Sequence, residues 1–342
     1  MRNFRLLLQI SLSVILTCCS LPPVSQASGS VTAGSVEKVF QDRLELFQRL
    51  EALYGIPWSY LAAVDQYERS IHKRRKKGSE QQAPERLTAI MIPPSLWCGA
   101  LNPDQQDHHE TSIRFFGGIG MDGDGDGKAE RENDMDVLTT LIHFFAQYGL
   151  TREDWRIGLW SYYKRDRAVK TIDQFARIYE RFQRLDLDDH HFPIPKRYSY
   201  SYHSTWGAPR GWGGHRIHEG TDIFAGYGTP VLSTGYGVIE VLGWNRYGGW
   251  RIGMRDIGNV YHYFAHLGSF KKGLKPGDIV EPGEILGYVG SSGYGRPGTA
   301  GKFPPHLHYG MYSDTGSNEW AFDPYPYLRR WEWQMYNKKK KR

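Results

Sequence analysis

The segment Pro305-His-Leu-His-Tyr309 predicts a β-strand that carries two histidines on one face. Side chains alternate between the two faces of a strand, so His306 and His308 point one way and Leu307 points the other. The segment lies among short apolar runs punctuated by glycine, between residues 201 and 335. Such runs are typical of an all-β domain. This stretch therefore decides the fold class of the last third of the chain.

Two further segments place the same kinds of side chain upstream of this strand. They are His218-Glu-Gly-Thr-Asp222 and Tyr263-Phe-Ala-His-Leu267. Imidazole nitrogens and one carboxylate form a preferred ligand set for Zn²⁺, and a catalytic zinc site uses three protein ligands and leaves one position open. Each motif alone is common in proteins. The three together, in this order, predict a single metal site.

Residues 260 to 267 predict a second strand that carries histidines. By alternation, His262, Phe264 and His266 share one of its faces, so we expect two histidine-bearing strands to line one groove. His262 has no assigned role in this set. We interpret it as a partly exposed strand residue, with a role in the site as the alternative.

Residues 206 to 312 resemble the lysostaphin/LytM-type zinc endopeptidases, which cut peptide bonds in bacterial peptidoglycan. The resemblance implies a β-sandwich-like peptidase domain with a groove above the metal site. Residues 206 to 225 are most similar to the sporulation-associated enzymes of Gram-positive spore formers, whose scissile bond is L-Ala–D-Glu. The resemblance is carried by Trp206-Gly-Ala-Pro-Arg210, His218-Glu-Gly-Thr-Asp-Ile-Phe-Ala225, Gly228-Thr-Pro-Val231, Tyr263-Phe-Ala-His-Leu267, Gly277-Asp-Ile-Val280, Gly287-Tyr-Val-Gly290 and Pro305-His-Leu-His-Tyr309.

The same resemblance implies the roles of the site residues. It makes His218, Asp222 and His308 the zinc ligands. His306 is assigned as the general base that orients water, and His266 as the group that stabilises the developing oxyanion, with the reverse assignment left open. Some relatives that lack a ligand act as binding or activator proteins. This chain retains every ligand, which favours an active enzyme.

The first 27 residues predict an export signal. Arg2 and Arg5 precede a largely apolar stretch at residues 6 to 16, and Ser25-Gln-Ala27 fits a cleavage site of small residues. A lipid anchor at Cys19 is the alternative. We therefore expect a secreted protein located at the cell wall, with only transient membrane contact through the signal peptide. Cleavage after residue 27 leaves one cysteine, so no intrachain disulfide can form.

The chain has 342 residues and a formal net charge of +6, which favours two domains with a basic balance. The basic residues concentrate in two runs, His72 to Lys77 and Lys338 to Arg342. Such runs bind polyanions, and in an exported protein the nearest are wall polymers and the membrane surface. A solvated loop and tail are the alternative. No nucleic-acid-binding motif is present, so we expect peptidoglycan as substrate, no nucleic acid partner, and a monomer.

Residues 35 to 186 predict a mainly helical domain, followed by a linker at 187–200, the β domain at 201–335 and a basic tail at 336–342. The fold class is therefore α+β and multidomain, with an N-terminal mainly α domain and a C-terminal all-β domain. Apolar periodicity predicts helices at 36–54, 58–69, 137–148, 154–163 and 169–185.

The helical region resembles, more faintly, the lysozyme-like lytic transglycosylases. The resemblance is carried by residues 54 to 64 leading to Glu68, and by residues 118 to 128. It implies that Glu68 is a general acid kept protonated by its surroundings. Arg69 stands where that family has serine, and its substrate-cleft motif is not visible. The alternatives are a glycan-binding relic and a structural helix on which Glu68 is exposed.

An acidic loop lies inside the helical region, at Asp122-Gly-Asp-Gly-Asp-Gly127. Asp122, Asp124 and Asp126 occupy positions 1, 3 and 5 of an EF-hand calcium loop, and a glycine follows at position 6. Asn133 stands at position 12, where a bidentate glutamate is expected. The loop predicts a Ca²⁺ site, and an acidic surface loop is the alternative.

These observations lead to one principal hypothesis and two alternatives. The principal hypothesis is a secreted zinc metalloendopeptidase that hydrolyses peptidoglycan stem peptides. The first alternative is a wall-binding or activator protein without catalysis. The second is a transglycosylase that cleaves glycan through Glu68, with the β domain as an accessory.

Overall fold

The computed structural model describes residues 33–75, 86–210 and 216–337. The predicted signal peptide and the tail from residue 338 onward lie outside these ranges, as do Lys76 and Lys77 of the first basic run. Within the described residues, no helix combines the length and the apolar composition needed to cross a membrane.

The N-terminal region is helical, as its periodicity predicted. The structure adds two short helices, α3 and α4, in a stretch where no helix was predicted. Local signals set several boundaries: Thr151 and Asp154 form a reciprocal capping box at the start of α6, and Gln183 ends α7 in the left-handed conformation. The helices are α1 (Ala33–Tyr54), α2 (Trp58–Arg75), α3 (Pro94–Trp97), α4 (Glu110–Phe115), α5 (Asp134–Ala146), α6 (Arg152–Tyr163) and α7 (Asp166–Phe182).

A buried carboxylate organises the centre of this helical region. Asp65 on α2 is fully buried and accepts hydrogen bonds from Arg43 (2.5 Å), Arg69 (2.9 Å) and the backbone amide of Ala89 (2.6 Å). Burial alone would raise the pKa of Asp65, but the two guanidinium groups and the amide hold it below its usual range. The carboxylate thereby joins α1 and α2 to the loop that follows residue 86.

The C-terminal region is an antiparallel sheet of ten strands, together with a separate two-stranded ribbon, β2–β3. Along the longest path the strand order is β1-β4-β11-β8-β7-β6-β9; β12 pairs with β11, and β10 pairs with β5 and β8. The strands are β1 (Tyr200–Tyr202), β2 (Pro209–Arg210), β3 (Arg216–Ile217), β4 (Thr221–Ala225), β5 (Pro230–Leu232), β6 (Gly237–Asn245), β7 (Gly249–Asp256), β8 (Val260–Phe270), β9 (Ile279–Val280), β10 (Ile285–Val289), β11 (His306–Asp314) and β12 (Glu319–Phe322).

The prediction that this region is all-β was wrong at its end, where helix α8 (Tyr325–Asn337) packs on the sheet. Leu328 and Trp331 are buried in the core of the β domain, and the ring of His190 stacks on Trp331 with a centroid distance of 5.0 Å. Residues 325 to 337 are rich in aromatic residues, which fit either a strand or a helix. Packing against the sheet decides between the two.

The connection between the two regions is packed against both of them. Leu187 belongs to the helical core, whereas Phe192 and Ile194 belong to the core of the sheet. Tyr236 and Val238 of the β domain are also buried against the helical core. The helical and β regions therefore form a continuous body.

A partly buried ion pair joins the helical region to one end of the sheet. The guanidinium of Arg165 makes two hydrogen bonds, of 2.8 and 2.9 Å, to the carboxylate of Asp314 at the end of β11. The fully buried Arg255 bonds Glu240 and Glu319 nearby. His308 lies six residues before Asp314 on β11, which corresponds to about 20 Å along a strand. The helical region therefore leaves the histidine-bearing end of the sheet uncovered.

We expect Asp65→Asn to lower the free energy of unfolding by about 3 kcal/mol, because it leaves buried guanidinium groups without their counter-charge. The depressed pKa of Asp65 means that its stabilisation is present above the unfolded-state pKa of about 3.9 and is lost as the pH falls below it. The variant should therefore show a weaker loss of stability on acidification. Urea unfolding of the full chain, followed by far-UV circular dichroism at several pH values, measures both effects.

The matched control is Glu153→Gln, which removes one partner of the exposed Arg156 pair. Exposed pairs contribute little to stability, so this variant should unfold as the wild type does. An Asp65→Asn protein as stable as the control would contradict the structural role of the buried carboxylate.

Candidate metal and catalytic site

Strand pairing brings the predicted site residues together from distant parts of the sequence. In the central three strands of the sheet, His308 on β11 lies directly opposite Asp222 on β4 and Ala265 on β8. His266 follows on β8, and His218 lies just beyond β3. All five predicted residues of the site therefore meet at one end of the sheet.

Three of these side chains point their donor atoms at a common centre. The Nε2 atom of His218 lies 2.9 Å from Nδ1 of His308, and Oδ1 of Asp222 lies 2.9 Å from that Nδ1 and 3.2 Å from that Nε2. Ligand atoms of a tetrahedral zinc ion are about 3.3 Å apart, given metal–ligand distances near 2.0–2.1 Å. The donor set and its spacing fit a zinc ion with an open position.

Hydrogen bonds to outer groups fix the orientation of these donors. Nδ1 of His218 donates to the carbonyl oxygen of Thr205 at 3.0 Å, which leaves Nε2 with its lone pair directed at the centre. Oδ2 of Asp222 accepts from Arg210 at 2.6 Å. Burial would raise the pKa of Asp222, but the adjacent rings of His218 and His308 hold it well below its usual range. The aspartate is therefore ionised and ready to bind a cation.

The other two histidines lie beside this centre and are held as neutral rings. His306 donates from Nδ1 to the carbonyl oxygen of Pro304 at 2.8 Å, and His266 donates from Nδ1 to that of Ser292 at 2.7 Å. Burial lowers the pKa of both rings, that of His266 to about 3, with the neighbouring His308 adding to the effect there. Their ring centroids are 4.8 Å apart. Each neutral ring therefore keeps its Nε2 as a hydrogen-bond acceptor.

His306 carries a buried polar atom without a partner. Its Nε2 forms no hydrogen bond with any described residue, although it lies 3.8 Å from Oδ1 of Asp222. A buried unpaired acceptor costs free energy and is retained where a ligand or water satisfies it. Its position beside the three donors fits a group that receives a proton from a bound water.

A β-bulge directs His266 into the site. Trp250 of β7 pairs with Leu267 of β8, and Ile252 pairs with Phe264. One residue lies between the two paired positions on β7, whereas two residues lie between them on β8. The extra residue lies at His266, whose φ is +62°, in the left-handed region that non-glycine residues rarely adopt. The bulge reverses the direction of the side chain, so that His266 and His308 line the same groove.

The expectation that His262 and His266 share a face was therefore wrong. His262 is fully buried on the core side of β8, where its Nε2 donates to Asp256 at 2.9 Å and its Nδ1 lies 2.6 Å from the hydroxyl of Tyr309. It is a structural residue and is not part of the groove. The side chains of β8 alternate between its two faces up to Ala265, and the alternation ends at the bulge. The pattern of a single strand does not reveal such a bulge.

The groove above the site has a volume of about 300 Å³ and is lined by His218, His266 and His308 together with tyrosines and arginines. Tyr294 forms part of its wall, and its ring stacks on His266. Sequence reasoning missed Arg216 and Tyr247, which also line the groove. Neither belongs to a motif with catalytic spacing, so no sequence signal pointed to them.

Comparison with known proteins shows the family of the chain. Residues 216–324 match the model of peptidase family M23. The L-Ala–D-Glu endopeptidase of Bacillus subtilis is 57% identical over 304 residues, which span 89% of this chain and 92% of that protein. The chain belongs to peptidase family M23.

Other relatives are similar over a smaller part of the chain. Lysostaphin of Staphylococcus staphylolyticus is 39% identical over 115 residues, which are 33% of this chain and 22% of that protein. The solved catalytic domain of lysostaphin from Staphylococcus simulans is 32% identical, with a TM-score of 0.33, and the match covers 41% of this chain and 99% of that domain. The M23 match contains every histidine and the aspartate of the site, whereas the helical region lies outside it.

In the helical region of this M23 protein, the carboxylates that lie close together at the acidic loop differ from the predicted Ca²⁺ ligands. Asp122 and Asp124 are grouped with Asp136 of α5, and Asp126 is not part of the group. Asn133, which stands at position 12 of the loop, caps α5 by accepting from the amides of Met135 and Asp136. The Ca²⁺ site stays a prediction.

Glu68 is buried in the helical region, so the alternative in which it is exposed was wrong. It is 6% exposed, accepts a 2.6 Å hydrogen bond from the hydroxyl of Tyr163, and lies 3.3 Å from Nε2 of His72. These contacts hold Glu68 in place between α2 and α6, and its role as a general acid stays a prediction. The lysozyme-like identity of this region stays a prediction.

We expect Gly220→Ala to weaken metal binding by more than about tenfold, because outer contacts set the orientation of ligands. A Cβ atom at residue 220 would lie 2.5 Å from Cε1 of His308 and 2.8 Å from the carbonyl oxygen of Tyr309, so the ring must move. Zn²⁺ affinity measured by isothermal titration calorimetry tests this. Gly226→Ala is the control, since its Cβ approaches only Thr229, at 3.9 Å. Equal affinities in the two variants would contradict the tight packing of His308.

Proposed function

We propose that this M23 protein is a zinc-dependent endopeptidase that hydrolyses peptide bonds in the stem peptides of bacterial peptidoglycan. The observation that carries the proposal is the site itself: three donor atoms within 3.2 Å of one another, beside the two neutral rings of His266 and His306. The similarity to the Bacillus subtilis enzyme, which extends over the helical region, favours the L-Ala–D-Glu bond as the target. Secretion to the cell wall and a role in sporulation are part of the proposal.

The proposed zinc ligands are His218, Asp222 and His308. When bound, the zinc ion acts as a Lewis acid on the scissile carbonyl and lowers the pKa of water. The chain's own residues orient these ligands: the Thr205 carbonyl fixes the tautomer of His218, and Arg210 holds the second oxygen of Asp222. Because the ligands include one carboxylate, the site carries a smaller negative charge than a site with several acidic ligands.

His306 is the proposed general base. Its Nδ1–H is held by the carbonyl oxygen of Pro304, so the unpaired Nε2 can accept the proton of the attacking water and later return it to the leaving amine. His266 has the corresponding tautomer through Ser292. With this tautomer, His266 can stabilise an oxyanion only after its Nε2 gains a proton. In the reversed assignment, the neutral ring of His266 would act as the general base.

Proposed roles outside the site follow the sequence analysis. Residues 1–27 are the signal peptide, 35–186 the helical domain, 187–200 the connection, 201–335 the peptidase domain and 336–342 the basic tail. We propose that the protein acts as a monomer and that peptidoglycan is its substrate. A Ca²⁺ ion bound near Asp122 would support the helical domain rather than the reaction.

We expect His308→Ala and Asp222→Ala to abolish both zinc binding and peptide cleavage, because each removes one of three ligands. His306→Gln is the matched comparison: it should retain zinc and lose about 10²- to 10⁴-fold in rate, as for loss of a general base. Zinc content by atomic absorption and new amino termini in peptidoglycan fragments, detected by mass spectrometry, measure the two effects. Full cleavage by the His308→Ala protein would exclude the zinc assignment.

We expect Glu68→Gln to retain peptide cleavage, since Glu68 lies outside the groove. The same digests distinguish the alternatives. Intact stem peptides on shortened glycan chains would indicate glycan cleavage through Glu68. Retention of wall fragments without any cleavage would favour a binding protein. Loss of new amino termini on treatment with a zinc chelator is the result that the proposal requires.

A further inference from the structure

Arg216 lines the groove, as Glu219 does, and the two form no ion pair. It is exposed on β3, two residues before His218, which places the two Cα atoms about 7 Å apart along the chain. Among the described residues, no carboxylate oxygen lies within 4.0 Å of its guanidinium. By contrast Arg210, its partner in the β2–β3 ribbon, is bonded to Asp222. Arg216 is therefore available to a ligand.

Aromatic residues on the opposite side of the groove hold Arg216 in place. Its guanidinium carbon lies 4.9 Å from the ring centroid of Tyr247, and one of its terminal nitrogens donates to the hydroxyl of Tyr294 at 3.0 Å. Tyr294 in turn stacks on His266, with an interplanar angle of 17°. The planar fork is thus oriented before any ligand binds, and most of its five donors stay available.

An arginine presented in this way suits a carboxylate on the substrate. Guanidinium and carboxylate groups match in a bidentate, charge-assisted geometry, which contributes both affinity and orientation. A glutamate whose nitrogen forms the scissile bond has two carboxyl groups. Only one of them is linked to the next residue of the stem peptide. The other is free and lies within a few bonds of the scissile nitrogen.

We propose that Arg216 is a specificity residue that binds the free carboxylate of the glutamate adjacent to the scissile bond. This inference rests on the proposed function and assigns the chemical feature of the substrate that the groove selects. Tyr247 and Tyr294 act as positioning residues that orient the guanidinium. The groove then distinguishes a free glutamate from its neutral amide, which has the same shape and no charge.

The test compares two synthetic stem peptides containing L-Ala–D-Glu, one with the free carboxylate and one with that carboxylate converted to the amide. The full-length wild type should have a higher kcat/KM for the acid. In Arg216→Gln the ratio of kcat/KM for acid to that for amide should fall by about 10- to 100-fold, as expected for loss of a hydrogen bond to a charged group. Arg216→Lys should restore part of the preference, because it keeps the charge without the fork.

Arg246→Gln is the matched control. Arg246 is also exposed and lies 5.9 Å from the Tyr247 ring, but it does not line the groove, so its substitution should leave the ratio unchanged. An unchanged ratio in Arg216→Gln, or an equal loss on both peptides, would overturn the assignment. Equal cleavage of acid and amide by the wild type would overturn it as well, yet leave the proposed function intact. Cleavage of neither peptide would contradict the proposed bond and this inference together.

Discussion

The carboxylate of Asp222 is the interaction on which the rest of the site depends. It lies on β4 directly opposite His308 and accepts hydrogen bonds or close contacts from His218, His308 and Arg210. Buried without these partners, it would take up a proton, and the donors around it would lose their common centre. A single carboxylate therefore converts the pairing of two strands into a binding site for a cation.

Strand pairing also explains why so much of the site could be predicted from the sequence. Alternation places His306 and His308 on one face whatever the rest of the fold does, and the resemblance of the motifs to a known family supplied the order of the ligands. The direction of His266 could not be predicted in this way. It depends on a bulge that exists only because β7 and β8 pair with unequal numbers of residues.

The fold shows the same division between local and long-range information. The helices of the N-terminal region follow from apolar periodicity and from caps such as Thr151, and the structure has them close to their predicted positions. Helix α8 and the burial of Glu68 depend on contacts with distant elements, namely the sheet and the hydroxyl of Tyr163. Patterns within one segment carry no information about such partners, so α8 was not predicted and the burial of Glu68 was left open.

The two ends of the sheet have opposite electrostatic designs. At the helical interface, charges are paired and at least partly buried: Arg165 with Asp314, and Arg167 with Glu240. At the groove, Asp222 is shared by several donors, and Arg216 has no acidic partner among the described residues. Paired charges fix the orientation of the two domains, because moving one partner away leaves its counter-charge buried and unpaired. An arginine without an acidic partner beside a metal site instead attracts anionic ligands, so the domain has a rigid joint at one end of its sheet and an open groove that carries Arg216 at the other.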